Sequence, residues 1–292
     1  MRFRAILTGL VVLLTALSAR ANETSVSSDS PLLTEITFDS SYDFSAPVRF
    51  AGRVIGHSET LRHKIEGFHR FPVSGPWYLQ LGAVYDRLDF GGSAIGLLPS
   101  TLQTLAVPVG LVYMVDGHPG FQAELRPGFY FSQEITGGAF DCPFYVGSGI
   151  PLIKDRLYGV WGLGTSFLRR YPVIPTGGII WLINDRLRLM AYLPEPRLVY
   201  DVTDEWQLWA GGEVVAGSFR NGRSTDPRLN GTVVDYEDYR VGAGAIWSPS
   251  RHWKLVAAAG CSVQRNLTFH RANQGYSAGP SPYLRLQLTA AF

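Results

Sequence analysis

Three histidines, His57, His63 and His69, recur at six-residue intervals, and His57 is followed directly by Ser58 and Glu59. A hydroxyl nucleophile needs a base within hydrogen-bond reach. His57-Ser58 is the one adjacent His/Ser pair in the chain, and no His-x-Ser spacing occurs. On an extended strand the even spacing puts His63 and His69 on one face, about 20 Å apart, too far to share a metal. His118 and His252 fall in short turns and read as surface residues. Cys142 opens a strand after a long loop, whereas Cys261 sits mid-strand on an apolar face. A bridge between them is not expected, and Cys261 reads as lipid-facing. No metal motif is present, and no cofactor is implied.

The charged side chains form a clearer pattern. On segments of alternating polarity, Arg62, Lys64, Arg70, Arg126, Arg188, Arg240, Lys254 and Arg285 occupy the wetter face, together with Glu66, Asp86, Glu124 and Glu213. If that face encloses an interior, eight cations oppose four carboxylates. Many other positions on it are glycines, among them Gly82, Gly110, Gly128, Gly162, Gly164, Gly211, Gly242, Gly244 and Gly260. Small residues leave room and charges keep it wet, which points to a water-filled passage with an anion preference. The same rows also fit a barrel filled by its own Arg–carboxylate pairs, with glycines relieving crowding in a curved wall. Arg169-Arg170, Arg220, Arg223 and Arg228 fall in long loops, where they either meet anionic lipid or remain solvated.

The elements that would position these residues are strands. Period-two alternation dominates: Trp77, Leu79, Leu81, Ala83 and Tyr85 oppose Tyr78, Gln80, Gly82, Val84 and Asp86. The closing segment puts Leu284, Leu286, Leu288, Ala290 and Phe292 on one face, against Arg285, Gln287 and Thr289. Such segments run to about ten residues, the length a tilted strand needs to cross a bilayer. Connections alternate between short (73–76, 116–120, 154–156, 184–186, 202–205, 248–252) and long (91–100, 133–141, 169–177, 220–235, 270–280). Short turns on one rim and long loops on the other are characteristic of outer-membrane barrels. Trp77, Phe121, Trp181, Trp206, Trp247, Trp253 and Phe292 gather at the short-turn rim as a candidate membrane-interface girdle.

Composition narrows the class. The 292 residues include 13% aromatics, 46% apolar residues and only 17% charged ones, so the chain is not disordered. A formal charge of +2 gives no reason to expect a nucleic-acid partner. Residues 1–21 read as a signal peptide: Arg2 and Arg4, an uncharged apolar run from Ala5 to Ala19, and Ala19-Arg20-Ala21 before the cleavage point. Residues 22–32 read as a flexible lead-in, and 33–292 as the barrel. No second long apolar run follows.

A closing strand ending on Phe292 resembles the terminal signal of outer-membrane β-barrel proteins, which implies the barrel-insertion machinery as an assembly partner. The whole exported chain, including Ile180 to Tyr200 with its Leu-x-Leu run and Pro-Glu-Pro, resembles an uncharacterised bacterial outer-membrane barrel family, a domain of unknown function. The resemblance implies fold and location and transfers no site residue. The expected fold is all-β, a single antiparallel transmembrane barrel with periplasmic termini and hence an even strand count. Between Arg186 and Val202 a hairpin turning at Pro194-Glu195-Pro196 gives fourteen strands. Twelve is the alternative if that hairpin or the first strand lies outside the wall. The expected location is the outer membrane of a Gram-negative bacterium, in contact with its lipids. The expected function is passive passage of small solutes, anions among them. A closed structural or interaction barrel and a lipid-modifying enzyme are the alternatives. Outer-membrane phospholipases carry His-x-Ser-x-Gly on a strand, which this sequence lacks, so the chain is not expected to be an enzyme.

Overall fold

In the computed structural model the described residues are 33–94, 98–114, 120–224 and 226–292. The signal peptide and lead-in read over 1–32 lie outside them, as does His118. The described chain is a closed barrel of antiparallel neighbours with fourteen staves. In chain order these are β1 (Thr34–Phe50), β2 (Arg53–Ser74), β3 (Trp77–Gly91), β4 (Thr101–Ala106 and Val109–Tyr113), β5 (Phe121–Leu125 and Gly128–Phe131), β6 (Phe140–Asp141 and Phe144–Ile153) and β7 (Leu157–Thr165). Then follow β8 (Val173–Leu182), β9 (Leu187–Tyr192), β10 (Arg197–Asp201), β11 (Trp206–Arg220), β12 (Val233–Ser250), β13 (Trp253–Phe269) and β14 (Gln274–Ala278 and Ser281–Ala291). β1 closes the ring by pairing with both β2 and β14. The Pro-Glu-Pro hairpin is part of the wall as β9 and β10, which gives fourteen staves rather than twelve.

Four staves are interrupted once, and each interruption holds a proline: Pro108, Pro127, Pro143 and Pro280. Proline has no N–H to give the ladder, so pairing stops there. Three of these breaks lie on adjacent staves and are laced together. Pro108 accepts from Gly82, Pro127 from Val107 and Pro143 from Arg126, at 2.8–3.0 Å. They form one crease across β4, β5 and β6. Above the crease the end of β5 turns across the barrel and pairs in parallel with the tip of β11, Phe131 opposite Arg220. The extracellular half is thereby a narrower ring, while β7 to β10 reach only its lower edge.

Staves on the opposite side are longer than the alternation suggests. β1 has 17 residues and β2 has 22, joined by a tight turn at Ala51-Gly52. Both turn residues have positive φ, 47° and 81°, as a two-residue hairpin of this hand requires. A bulge between Asp43 and Ala46 interrupts the period-two alternation of β1. Beyond the bulge, Ala46 and Val48 carry the inward face up into a packed apolar core with Phe90, Leu102, Phe219, Leu229, Tyr236 and Phe269.

The outward face is apolar and its limits are visible. On β13 it runs from Trp253 to Val263 and then turns polar at Gln264 and Asn266, which bond to each other. On neighbouring staves the change is marked by outward tyrosines bonded to polar partners: Tyr42 to Glu59, Tyr85 to Gln103 and Tyr239 to Glu237. At the other rim Trp206 stacks on Trp247, 5.9 Å between centroids, and Trp77 meets Phe121 at 5.9 Å. A closed barrel with a lipid-compatible apolar band between two aromatic levels is an outer-membrane β-barrel.

Candidate functional site

Strand pairing assigns each charged candidate to a face. Thr37 pairs with Glu66 and Thr289, and residues two apart share that side. All twelve charged positions read from the sequence fall on the interior parity. Most are tied to partners at the barrel's waist. Arg62 grips Asp86 through two hydrogen bonds, 2.9 and 2.6 Å. Lys64 pairs with Glu66 at 2.7 Å, and Arg188 with Asp201 at 3.4 Å. Arg285 reaches Asp39 at 2.9 Å and Glu213 at 3.1 Å. Arg70 donates to Gln80, which donates to Glu124, and Arg126 donates to the same carboxylate. Lys254 lies near the periplasmic rim and is exposed.

Arg240 is almost wholly buried. It sits between Asp238 at 2.7 Å and Asp43 at 2.8 Å, with the three side chains no more than 1% exposed. The Arg240–Asp43 contact spans the interior from β12 to β1, past β13 and β14. Arg265 is equally buried and donates to Thr60 at 2.6 Å and Ser281 at 3.2 Å.

The expected charge imbalance is therefore smaller than the sequence count. Asp39, Asp43, Asp201 and Asp238 face the same interior and were not counted. Arg197 and Arg265 were missed too. Strict alternation from Trp253 would put Arg265 on the lipid face. A bulge in β13 opposite Tyr239 and Arg240 adds one residue and turns it inward. Nearly every cation thus has a carboxylate in contact, and the rows act first as internal cross-links.

Several interior glycines do not leave free space. They seat aromatic rings laid against the wall. A Cβ on Gly244 would lie 2.8 Å from the Trp209 indole nitrogen, one on Gly260 2.7 Å from the Tyr283 ring, and one on Gly82 2.6 Å from the Phe68 ring. Arg240 lies over the Tyr283 ring at 5.1 Å, and Arg197 over Trp209 at 4.3 Å.

Free space lies elsewhere. A cavity of about 800 Å³ occupies the interior beside β4 to β9. Its wall is Val112, Met114, Tyr145, Val160, Ile180 and Tyr192, with Leu193 and Pro194 at the top of the short hairpin. One side is polar: Gln122, Glu124, Arg126 and Thr176. Glu124 is buried, and Arg126 is the more exposed member of the pair. Among the described residues that line it, the cavity has one cation and one carboxylate, which balance. Sequence reasoning identified Glu124 and Arg126 but not the space beside them, which lies between β4 to β6 and the short staves β7 to β9.

The enzyme candidates are separated. His57 and Ser58 are neighbours on β2 and project to opposite faces. His63 and His69 both face outward, bonded to Ser40 at 3.0 Å and Thr34 at 2.8 Å. Among the described residues no three His, Cys, Asp or Glu side chains gather as a metal site. Cys142 and Cys261 are free thiols.

No protein-family model matches the chain, nor does any curated protein. Among solved structures, it is similar to an outer-membrane channel of Pseudomonas putida F1. That match has a TM-score of 0.52 and 10% identity, and covers 92% of this chain and 100% of the channel. The toluene transporter TodX of Pseudomonas putida matches at a TM-score of 0.43 with 10% identity, covering 90% of each chain. A FadL homologue of Pseudomonas aeruginosa matches at 0.43 with 12% identity, covering 89% of this chain and 90% of its own. What the chain shares with the first of these is the fold of an outer-membrane barrel.

Proposed function

We propose that this barrel is a gated conduit for small solutes across the outer membrane. The observation that carries the reading is a sizeable cavity inside a barrel whose extracellular half is closed by packed apolar side chains. Solutes dwell beside β4 to β9, between aromatic walls and the Gln122–Glu124–Arg126 edge. Because the charges there balance, selection is by size and polarity more than by an anion field. Passage is passive, since nothing in the proposed route calls for an energy source. The proline crease supplies the movable part: the ends of β4 to β6 above it are laddered to β3 on one side and bridged to Arg220 on the other. The structure of a channel with the same overall fold supports the class of function without specifying its solute.

Planar-bilayer recording tests this. The wild-type barrel is expected to give rare, brief steps. Phe90→Ala with Phe219→Ala, which empties part of the apolar closure, is expected to give long-lived steps. Silence from both, with barrel folding confirmed by heat-modifiable gel mobility, would favour a closed structural barrel. Fatty-acid release from vesicles by the wild type would instead assign an enzyme.

A further inference from the structure

β7 and β8 are 9 and 10 residues long, enough for tilted strands to cross the hydrocarbon and little more. Trp181 marks the periplasmic end of β8, so the loop at the other end, residues 166–172, falls in the outer headgroup layer. By contrast β12 and β13, at 18 and 17 residues, carry their loops well beyond it.

This loop reads Ser166-Phe167-Leu168-Arg169-Arg170-Tyr171-Pro172 and contains no acid. Phe167 is 84% exposed and Tyr171 66%. Large apolar rings left this open are suited to the membrane interface rather than to water. The loop is held in one shape. Leu168 is buried beneath it, and the buried Asp141 carboxylate accepts from the Ser166 hydroxyl at 2.6 Å and the Phe167 amide at 3.1 Å. Arg170 lies over Tyr171 at 5.5 Å. Among the described residues neither Arg169 nor Arg170 has an ion-pair partner. Arg228 and Arg87, also in the extracellular half, are paired with Asp226 and Asp89.

From this juxtaposition we infer that the β7–β8 loop docks the phosphorylated glycolipid headgroups of the outer leaflet. Arg169 and Arg170 take phosphate oxygens through their guanidinium forks, while Phe167 and Tyr171 settle at the acyl boundary. Fork geometry matches a phosphate ester, and two adjacent cations match a headgroup carrying two of them.

Native mass spectrometry of the barrel in detergent tests the assignment, with bisphosphorylated lipid A, monophosphorylated lipid A and phosphatidylcholine as probes. The wild type should retain them in that order. Arg169→Gln with Arg170→Gln should cut the bisphosphorylated adduct about tenfold, a difference in binding of about 1.4 kcal/mol. Phe167→Ser with Tyr171→Ser should weaken all three adducts, and Arg228→Gln should change none. Unchanged adducts in the double arginine variant would overturn the proposal. Retention of phosphatidylcholine equal to that of bisphosphorylated lipid A would also overturn it. So would displacement of the lipid by millimolar inorganic phosphate, which would indicate a soluble-anion site.

Discussion

Arg240 is the side chain on which the waist of the barrel depends. It neutralises Asp43 and Asp238, both fully buried, and its contact with Asp43 ties β12 to β1 across the interior. Removing one member of a buried charge set leaves the others uncompensated, at about 3–5 kcal/mol. Arg240→Ala should therefore lower stability in urea titrations of the lipid-inserted barrel by that order, while Lys254→Ala at the exposed rim should leave the midpoint unchanged. The glycine seats behave as a second residue-scale device. A side chain at Gly244 meets Trp209 and the neighbouring strand's backbone, so there is no slack to absorb it. Gly244→Val should cost about 1–3 kcal/mol in the same titration. A Gly244→Val barrel as stable as the wild type would mean that Trp209 does not rest on the wall.

At the scale of the element, facing decides tolerance. Leu286 and Gln287 are neighbours on β14, with Leu286 turned to lipid and Gln287 inward beside Arg285. An arginine on the lipid side near the midplane costs about 2–4 kcal/mol. Leu286→Arg should show that loss in refolding into vesicles, whereas Gln287→Arg should refold far better. A reversed order would mean that the barrel's faces have been assigned the wrong way round. The bridge between β5 and β11 is the other element-scale feature. Arg220 donates to the carbonyls of Gly138 at 2.8 Å and Gly231 at 2.7 Å, its own carbonyl accepts from Ser132, and Asn221 holds Leu229. Arg220→Ala removes two solvent-exposed guanidinium bonds and leaves the backbone contact. Solute flux into proteoliposomes should rise, with the thermal midpoint shifting only modestly. Flux equal to the wild type's would place the moving part elsewhere.

For the whole molecule, the interior has three levels with separate jobs. The extracellular level is apolar and packed, the waist is a lattice of ion pairs, and the periplasmic half holds an apolar cluster around Trp209 and Ile246 on one side and the cavity on the other. A fourteen-strand barrel is wide enough for a passage, but here the crease draws the upper wall inward so that side chains from opposite staves meet. Since the apolar band faces outward, the exported chain should need detergent or lipid to remain dispersed and should migrate on unheated gels as a compact species. A detergent-free monodisperse species in ultracentrifugation would contradict the membrane assignment.

The sequence by itself determined the strand class and the side each regular segment turns to lipid, and it favoured fourteen staves with twelve as the alternative. Those properties follow from a period of two, from turn length and from the rule that a barrel with both ends on one side has an even count, all of them local or additive. The hairpin at Pro194-Glu195-Pro196 was legible because prolines cannot continue a ladder. Tertiary structure alone decided what fills the interior. Arg265 was missed because one bulged residue reverses every side chain beyond it, and a bulge leaves no mark in composition. Asp43 became a partner of Arg240 only through a contact between residues nearly two hundred positions apart, whereas Asp238 lies two residues away on the same stave. Nothing in the sequence aligns the prolines on β4, β5 and β6, and only the register between neighbouring staves makes them a crease. The cavity, likewise, is enclosed by six neighbouring staves, β4 to β9, a property of the closed ring that no single strand contains.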